Sequence, residues 1–341
     1  MMNPFKGKNI LITGGTGSVG SEIVRKVLQY EPKVVRVLSN DENGLFNLGQ
    51  ELRDSPEVRF LLGDVRDKER LMKAIDGIDI IFHAAALKHV PLCEYNPFEA
   101  IKTNVIGTQN VLEASLMVEA QKVIAISTDK AVNPASTMGT SKLLAEKLVT
   151  DANYYKGDRK TNFSSVRFGN VIGSRGSVIP LFAEQIKRGG PVTITDSRMS
   201  RFIMSPDQVT SLLFKATGMA LGGEIFILKM PSLKISDLAK VMADELAPKY
   251  GYKPSQIELK ITGVRPGEKI HEELMTEEEA MHAQETEEMF IVQPHVELST
   301  CRIEDYNYPG SQPAQVTKYT SKEGQSLTQN EIETMLKENF P

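Results

Sequence analysis

Apolar and polar positions follow two periods along the first half of the chain. Short runs rich in β-branched residues predict strands, and longer stretches with apolar residues at helical spacing predict helices. The strands are predicted at Asn9–Thr13, Val34–Leu38, Val58–Leu62, Asp79–His83, Lys122–Ser127 and Asn162–Arg167. The helices are predicted at Val19–Tyr30, Lys68–Ile75, Pro97–Glu119 and Thr137–Thr150. Strands that alternate with helices are typical of βαβ units, so the pattern predicts an α/β fold with a doubly wound parallel sheet.

The alternation of strands and helices weakens after Arg167, where glycine and proline interrupt the pattern. Such segments are typical of loops that build a binding site. Ser236 precedes an apolar-periodic run, Leu238–Leu246, and is predicted to cap that helix. The charged stretch Glu277–Glu288 predicts a solvent-exposed helix, and the polar stretch Tyr306–Thr328 predicts a loop or a surface strap.

Length and composition predict a globular protein with two lobes. The chain has 341 residues, of which 40% are hydrophobic and 25% charged, values typical of ordinary folded domains. We expect residues 1–170, with about 205–230, to form the sheet lobe. Residues 171–204 and 231–341 are then expected to form a smaller lobe with the C-terminal tail.

Charge and cysteine content restrict the partners and the compartment. The net charge of −4 offers no broad basic surface, which argues against nucleic acid as the main partner. Two cysteines, Cys93 and Cys301, are too few for a disulfide framework and favour a reducing compartment. The N-terminus lacks a signal-peptide pattern, and no stretch reaches the ~18 apolar residues of a membrane span. We therefore expect a soluble cytoplasmic protein.

A glycine-rich turn, Thr13–Gly20, follows the first predicted strand directly and opens the first helix. Glycines at these places allow a tight turn and close approach to a pyrophosphate, which then faces the N–H groups of the helix N-terminus. Ser21 stands where a P-loop would have lysine, so the turn predicts dinucleotide binding. The residues expected at the cofactor are Gly14, Thr16, Gly17, Ser18, Val19 and Gly20.

The end of the second strand should lie beside the adenosine ribose. An acidic residue there accepts from the 2′-hydroxyl of NAD, whereas arginine pairs with the 2′-phosphate of NADP. The chain has Ser39, Asn40 and Asp41, and because Asn40 is neutral the choice between NAD and NADP stays open. After the third strand, Asp64 and Val65 suit a contact with the adenine edge, although Asp64 could equally cap the next helix.

Six motifs in order resemble the UDP-N-acetylglucosamine 4,6-dehydratases of the extended short-chain dehydrogenase/reductase superfamily. The resemblance covers roughly residues 8–275 and rests on Thr13–Gly20, His83–Pro91, Lys102–Asn104, Ser127–Lys130, Arg167–Arg175 and Arg265–Lys269. It implies a Rossmann sheet, a sugar-nucleotide-binding C-terminal lobe, and a tightly bound NADP or NAD that is recycled. The implied product is a UDP-4-keto-6-deoxy-hexosamine for surface-glycan synthesis, made by a homo-oligomer (dimer or hexamer). The resemblance also places Ala84, Lys88 and Asn104 at the cofactor.

Elimination of water across C5 and C6 of the sugar needs a base for the C5 proton and an acid for the C6 hydroxyl. The resemblance assigns Lys130 as the base and Asp129 as the acid. Lysine acts as a base only if its pKa is lowered, and we expect burial, the positive nicotinamide and Lys142 to lower it. The alternative is that Asp129 and Lys130 form a solvated turn pair.

The superfamily's Tyr-x-x-x-Lys pair reads Met138-x-x-x-Lys142 in this chain. A spacing of four keeps both side chains on one helix face, so Lys142 can still reach the nicotinamide ribose. A thioether cannot take a proton, so the acceptor of the C4 hydroxyl proton is open between Asp129, Thr128 and a water. The contrasting interpretation is that Met138 packs in the core of a non-catalytic NAD(P)-sensing protein.

The substrate side is carried over from the resemblance alone. Lys88, Asn170, Ser177, Arg201 and Arg265 are expected near the sugar and the diphosphate, with Glu268 on the ribose or uracil side. Each of these could instead belong to an ordinary surface ion pair.

The sequence contains no pattern typical of a metal site or of a reactive cysteine. His271-Glu272-Glu273 is not a zinc-protease motif, because Met275 stands at the second ligand place, and Cys93 has no histidine partner. We therefore expect no metal. The rival functions are a nucleotide-sugar 4-epimerase, another nucleotide-hexose 4,6-dehydratase, and the non-catalytic sensor.

Overall fold

The computed structural model describes residues 3–294 and 306–340. Cys301 and the last residue of the predicted smaller lobe lie outside these ranges. The strands are β1 (Asn9–Thr13), β2 (Val34–Ser39), β3 (Val58–Leu62), β4 (Ile80–His83), β5 (Lys122–Thr128), β6 (Asn162–Phe168), β7 (Asn170–Val171), β8 (Val192–Ile194), β9 (Ser200–Met204), β10 (Ile225–Leu228), β11 (Ser232–Lys234), β12 (Leu259–Ile261), β13 (Glu273–Met275), β14 (Ala283–Glu285), β15 (Met289–Val292), β16 (Gln312–Pro313) and β17 (Tyr319–Thr320).

The helices fall between these strands. They are α1 (Ser18–Leu28), α2 (Glu42–Glu51), α3 (Lys68–Ile75), α4 (Val90–Tyr95), α5 (Pro97–Ala100), α6 (Gly107–Met117), α7 (Thr137–Tyr155), α8 (Val178–Lys187), α9 (Pro206–Met219), α10 (Ile235–Leu246), α11 (Glu277–Met281) and α12 (Gln329–Asn339). A π-helix, Ile101–Ile106, joins α5 to α6, and 3₁₀ turns occur at Asp129–Ala131, Pro248–Tyr250 and Pro254–Gln256.

Ten strands form the main sheet in the order β16-β14-β15-β10-β6-β5-β4-β1-β2-β3. Strands β1 to β6 and β10 run parallel, and β14, β15 and β16 add an antiparallel edge. Read from the other edge, strands β3 to β6 follow the order 3-2-1-4-5-6 of a dinucleotide-binding sheet. In such a sheet the strand order changes direction between β1 and β4, which are themselves parallel. The predicted doubly wound α/β fold is confirmed.

Helices cover both faces of the sheet, because successive residues of a strand point to opposite sides. On one face Ile12 packs in a core with Leu213 of α9. On the other face Leu11 packs with Leu71 of α3 and Val111 of α6. The central strands β1, β4 and β5 are therefore buried on both sides, and this explains why they appear in the sequence as continuous apolar runs.

A separate core lies beside the sheet and joins α8, α10 and α12. Phe182, Leu238 and Ile332 are fully buried in it. The small sheets β11-β9-β7 and β12-β8 lie in this part of the chain. Strands β14 to β16 fall within residues 231–341, which the sequence pattern assigns to the smaller lobe, but in the structure they extend the main sheet.

Two predicted features of the second half are wrong. The helix predicted at Glu277–Glu288 ends at Met281, because Ala283 starts a strand that pairs with β15. Helix α10 begins at Ile235 with Lys234 at its N-cap, so Ser236 lies inside the helix and does not cap it. Within the described residues no helix is long and apolar enough to cross a membrane.

Candidate active site

A cavity of about 410 Å³ opens at the carboxyl ends of the parallel strands β1 to β4. Ligands of open α/β sheets bind at this edge, beside the point where the strand order reverses. Nine of the residues predicted at the cofactor line the cavity: Gly14, Thr16, Gly17, Ser39, Asn40, Asp41, Asp64, Val65 and Ala84. The fold therefore brings together four separate segments of the sequence at one site.

The glycine turn forms one wall of this cavity. Gly14 has a φ of 66°, and a Cβ there would stand 2.6 Å from the backbone nitrogen of Ala85. A Cβ at Gly20 would stand 2.2 Å from the Gly14 carbonyl oxygen, so neither position has room for a side chain. Helix α1 starts after Gly17 with no capping side chain and no acidic residue in its first turn. Its free N–H groups and positive dipole fit a pyrophosphate.

Polar side chains form the opposite end of the cavity. The Ser39 hydroxyl lies 2.7 Å from the Thr16 hydroxyl, and the Asn40 amide donates to Asp64 at 3.1 Å. Asp41 accepts from the Gly44 N–H at 2.9 Å and so caps α2. Burial would raise the pKa of Asp64, but hydrogen bonds from Arg66 and Asn40 outweigh burial and lower that pKa. Asp64 is thus an ionised acceptor at the cavity.

Four polar or charged residues of the cavity are absent from the predicted site residues. They are Arg66, Glu99, Thr103 and Arg175. Arg66 pairs with Asp64 at 2.7 Å and with Glu99 at 2.8 Å. Arg175 comes from the loop before α8, where its backbone N–H donates to Ser18 at 3.0 Å and its guanidinium contacts the Thr16 carbonyl. Arg66 could have been predicted, because it stands two residues after Asp64 and carries the opposite charge. The sequence around Arg175 does not indicate that this residue contacts the glycine turn.

Two residues predicted at the cofactor, Asn104 and Lys88, form hydrogen bonds to backbone groups in the wall of the site. Asn104 is buried in the π-helix, and its amide bonds both backbone groups of Leu87, at 2.8 and 3.0 Å, and the Ser141 hydroxyl at 2.9 Å. It therefore holds the loop after β4, and both hydrogens of its amide nitrogen are already donated. Lys88, in that loop, donates to the Arg175 carbonyl at 2.7 Å. Burial, Arg175 and Lys130 lower the pKa of Lys88.

Asp129 and Lys130 form a 3₁₀ turn at the carboxyl end of β5. The Lys130 ammonium donates to Asp129 Oδ1 at 2.9 Å, and the Thr128 hydroxyl donates to the same oxygen at 2.8 Å. Asp129 is fully buried, and its Oδ2 has no hydrogen-bond partner within residues 3–294 and 306–340. Because Asp129 is fully buried and the Lys130 side chain is only 29% exposed, the two do not form a solvated turn pair, and that alternative is wrong.

The expected lowering of the Lys130 pKa is not found in the protein alone. Burial would lower this pKa, but the carboxylates of Asp129 and Glu272 outweigh burial and raise it. Glu272 Oε1 lies 3.7 Å from the Lys130 nitrogen. Lys130 is therefore held as an ammonium between two carboxylates.

Lys142 lies on α7 and reaches back to β5, where its ammonium donates to the Ile126 carbonyl at 2.6 Å. Burial lowers the pKa of Lys142 to about 8, and Glu146 opposes the shift. Met138, one turn earlier, is buried with Cys93 and Ala100 in a small hydrophobic cluster. The packing interpretation of Met138 thus fits its surroundings, while Lys142 retains a place beside the strand ends.

A buried charge network fixes the helix that carries Lys142. Arg167 of β6 is fully buried between Glu146 of α7 and Glu279 of α11. Its guanidinium forms an ion pair with Glu146 and a second one, at 2.9 Å, with Glu279. The Ser127 hydroxyl donates to Glu146 at 2.6 Å. Such charges are stable in the interior only when they are paired, so the network fixes the position of α7 relative to the sheet.

His83, at the end of β4, lies under the same site. Its Nδ1 is 2.7 Å from the Thr13 hydroxyl, and its Nε2 is 3.0 Å from the Thr108 hydroxyl. Thr108 already donates to the Asn104 carbonyl, so Nε2 carries the proton and Nδ1 accepts from Thr13. Burial and Lys142 lower the His83 pKa to about 3. His83 is a neutral structural residue.

The residues expected at the substrate divide into two groups. Ser177 at the start of α8 has a buried hydroxyl without a partner in the described chain, and Arg265 is exposed with no side-chain ion pair there. Both are free to bind a ligand. Arg201 instead donates to the carbonyls of Ser200, Ile270 and Lys269 at 2.7 to 3.1 Å. It joins β9 to the segment after Arg265 and is not free to bind phosphate.

Two expected substrate contacts lie around this segment. Asn170 is half-buried in β7, directly after the strand β6. Glu268 is half-buried, with a carboxylate oxygen 3.4 Å from the Arg265 N–H. Lys269 donates to the Val132 carbonyl at 2.6 Å, so the segment 265–269 packs beside the Asp129–Ala131 turn. Their roles toward a ligand stay predictions.

A dinucleotide-binding sheet, a glycine turn after β1, and an Asp-Lys pair followed by a lysine on α7 together define an extended short-chain dehydrogenase/reductase. Within that class the chain belongs to the family described as "Polysaccharide biosynthesis protein", which matches residues 10–294. The resemblance drawn from the six motifs is confirmed.

Known relatives span almost the whole chain. A Methanocaldococcus jannaschii protein called "Uncharacterized membrane protein MJ1061" is 56% identical over 98% of this chain and 97% of its own. The UDP-N-acetylglucosamine 4,6-dehydratase (inverting) of Campylobacter jejuni is 43% identical over 86% of this chain and 85% of its own. A Rickettsia rickettsii UDP-glucose 4-epimerase is 40% identical over 84% and 83%. The X-ray structure of Pen from Bacillus thuringiensis, 44% identical, covers 98% of both chains with a TM-score of 0.91.

Proposed function

We propose that this chain is an NAD(P)-dependent 4,6-dehydratase of UDP-N-acetylglucosamine that makes a UDP-4-keto-6-deoxy-hexosamine. The observation that carries the proposal is the ion pair of the fully buried Asp129 with the half-buried Lys130, with an open carboxylate oxygen, beside a dinucleotide cavity. An epimerase needs no such pair for the C5 proton and the C6 hydroxyl. Relatives named as dehydratases and as polysaccharide biosynthesis proteins support the same reaction and a role in surface-glycan synthesis.

The cavity suits NAD or NADP. Gly14 and Gly17 leave the pyrophosphate place clear, the α1 N-terminus supplies N–H donors, and Asp64 supplies an acceptor for adenine. Solved neighbours of the same fold bind NAD, including a Thermus thermophilus UDP-glucose 4-epimerase. Bound NAD(P) would supply reversible hydride transfer, from C4 of the sugar and back to C6. The residues of the cavity fit this group, and Lys142 would hold the nicotinamide ribose.

The protein's own residues handle the protons. Lys130 as a neutral amine removes the C5 proton and later returns one to C5. Asp129, once protonated, gives its proton to the C6 hydroxyl, which leaves as water. Each such proton transfer by a positioned side chain contributes about 10²–10⁴-fold to the rate. Ser177 and Arg265 are free to bind the diphosphate.

Mass spectrometry of the product separates the candidate functions. Incubation of the protein with UDP-N-acetylglucosamine and NAD(P) should give a product lighter by one water, without accumulation of reduced cofactor. Asp129→Asn should slow this loss while cofactor binding persists, and Lys322→Ala, on the exposed C-terminal segment, serves as the matched surface control. An isomer of unchanged mass would identify an epimerase instead. Absence of any conversion beside tight NAD(P) binding would favour the sensor.

We further propose that the smaller lobe binds the sugar nucleotide and that the protein acts in the cytoplasm as a homo-oligomer. The free Ser177 and Arg265 of that lobe support the first point. The second point is supported by the low cysteine content of the chain and by what the resemblance to the dehydratases implies. Light scattering after size-exclusion chromatography tests the oligomer, with a monomer at micromolar concentration contradicting it.

A further inference from the structure

Glu272 stands in the catalytic cluster, and the chemistry given above does not use it. It lies directly before β13, far along the chain from the Asp129–Ala131 turn. Its Oε1 lies 3.7 Å from the Lys130 nitrogen and 3.5 Å from Arg201 Nε. Lys130 therefore lies between two carboxylates, one of which comes from a distant part of the chain.

The other oxygen of Glu272 is free. Oε2 is buried and has no hydrogen-bond partner within the described ranges, on a side chain that is 4% exposed. Among the described residues only one other carboxylate oxygen is buried in this state, Oδ2 of Asp129. A buried acceptor left without a hydrogen bond destabilises the fold, so two of them around one lysine indicate a function.

The backbone of Glu272 is held firmly. Its N–H donates to the Ser321 hydroxyl at 2.9 Å, and the Ser321 N–H donates to the Glu272 carbonyl at 2.8 Å. The Ser321 hydroxyl also lies 2.8 Å from that of Ser200. The C-terminal segment thus fixes the carboxylate beside Lys130, as expected of a functional group and not of a surface side chain.

Proton counting identifies what is missing from the proposed reaction. The resting cluster holds one proton, on the Lys130 ammonium. Oxidation at C4 releases the hydroxyl proton of the sugar, so the cluster then holds two. Loss of water requires one proton on Asp129 and none on Lys130, and Met138 cannot hold the second.

We propose that Glu272 holds this second proton between oxidation at C4 and completion of the reaction. It takes the proton from Lys130 after Asp129 has accepted the C4 hydroxyl proton, because a neutral Asp129 no longer stabilises the Lys130 ammonium. Asp129 then protonates the C6 hydroxyl and water leaves, while Lys130 takes the C5 proton and later returns it to C5. The proton on Glu272 passes back to Lys130, and the cluster regains its resting state. The inference rests on the proposed dehydratase function. Glu272 acts through Lys130 and does not itself touch the sugar.

The charged groups around Lys130 determine how the reaction depends on pH. Asp129 and Glu272 are acidic, and Arg201 and Lys88 are basic. In Glu272→Gln the second proton stays on Lys130, and the amine is freed only when the medium removes that proton. Exchange of the C5 hydrogen with deuterated solvent should fall about 10²-fold at pH 7 and recover roughly tenfold per pH unit as pH rises. The wild type should show a flatter profile over the same range.

Glu273→Gln is the matched control, because this neighbouring carboxylate binds Asn133 at 2.7 Å and not Lys130. It should keep the wild-type profile. Unchanged UDP-sugar and cofactor dissociation constants in Glu272→Gln would show that the site is intact. If that variant does not fold, Glu272→Asp keeps the acid and should retain the flat profile at a lower rate.

Two outcomes overturn the inference while the wild type is active. One is a wild-type exchange rate and profile in Glu272→Gln, and the other is a steep profile in Glu272→Asp. A wild type that neither loses water nor exchanges C5 hydrogen overturns the proposed function itself, so the two failures are distinguishable.

Discussion

Gly14→Ala separates two reasons for a glycine in the cofactor turn, its backbone angle and its closeness to another segment. Gly14 has a φ of 66°, and an added Cβ would lie 2.6 Å from Ala85 N and 2.9 Å from the Ala84 carbonyl carbon. Gly77 has a φ of 68°, and nothing lies within 4 Å of its Cβ position. Gly77→Ala therefore measures the cost of the backbone angle alone.

The two costs can be worked out separately. A left-handed backbone costs a non-glycine residue about 1–2 kcal/mol, which is the loss expected for Gly77→Ala. An extra methyl against backbone atoms costs a further ~1–3 kcal/mol, so Gly14→Ala should lose about 2–5 kcal/mol. Ala84 and Ala85 line the cofactor cavity, so relief of the overlap moves the cavity wall. Cofactor affinity should therefore fall in Gly14→Ala only.

Urea unfolding followed by circular dichroism gives the two free energies of unfolding, and calorimetric titration gives the NAD(P) dissociation constants. The reasoning predicts a larger loss of stability in Gly14→Ala and a weakened cofactor in that variant alone. Equal losses of stability with unchanged cofactor affinity would show that the contact with Ala84 and Ala85 has no energetic role.

Three further predictions follow from the site. Arg265→Ala should raise the KM for UDP-sugar by a factor that corresponds to about 1.5–3 kcal/mol and should leave the melting temperature unchanged. Arg201→Ala should instead lower the melting temperature. The opposite result for the two variants would show that Arg201 binds the ligand and Arg265 stabilises the fold. Met138→Leu should cost less than about 1.5 kcal/mol and Met138→Ala about 2–5 kcal/mol in urea unfolding, and a costly Leu variant would argue against simple packing. His83 has a pKa of about 3 in the fold against 6.5 when unfolded, so the unfolded chain binds the extra proton and stability falls as pH drops from 6.5 toward 3. His83→Asn should flatten that part of the stability curve, and an unchanged slope would contradict the buried neutral state.

The sequence by itself determined the parts of the protein that depend on local pattern. β1, the glycine turn and α1 lie where predicted, since apolar period and turn chemistry act over a few residues. Asp129 and Lys130 lie directly after β5, as expected. Parallel strands bring their carboxyl ends to one edge of the sheet, so the pair lies at the edge where ligands bind. The α/β class and the family followed from the same short motifs.

Only the tertiary structure decided which side chains remain free for a ligand. Arg201 was expected at a phosphate, but three backbone carbonyls occupy its donors, one from the neighbouring Ser200 and two from the distant segment at Lys269 and Ile270. Lys130 was expected to have a lowered pKa, but Glu272, which folding brings beside it, helps to raise that pKa. The charged stretch after Glu277 was expected to be helical, but pairing with β15 overrides its local preference. Hydrogen-bond partners and charges that come from far along the chain leave no period or motif in the local sequence, and these partners decide the electrostatics of the site.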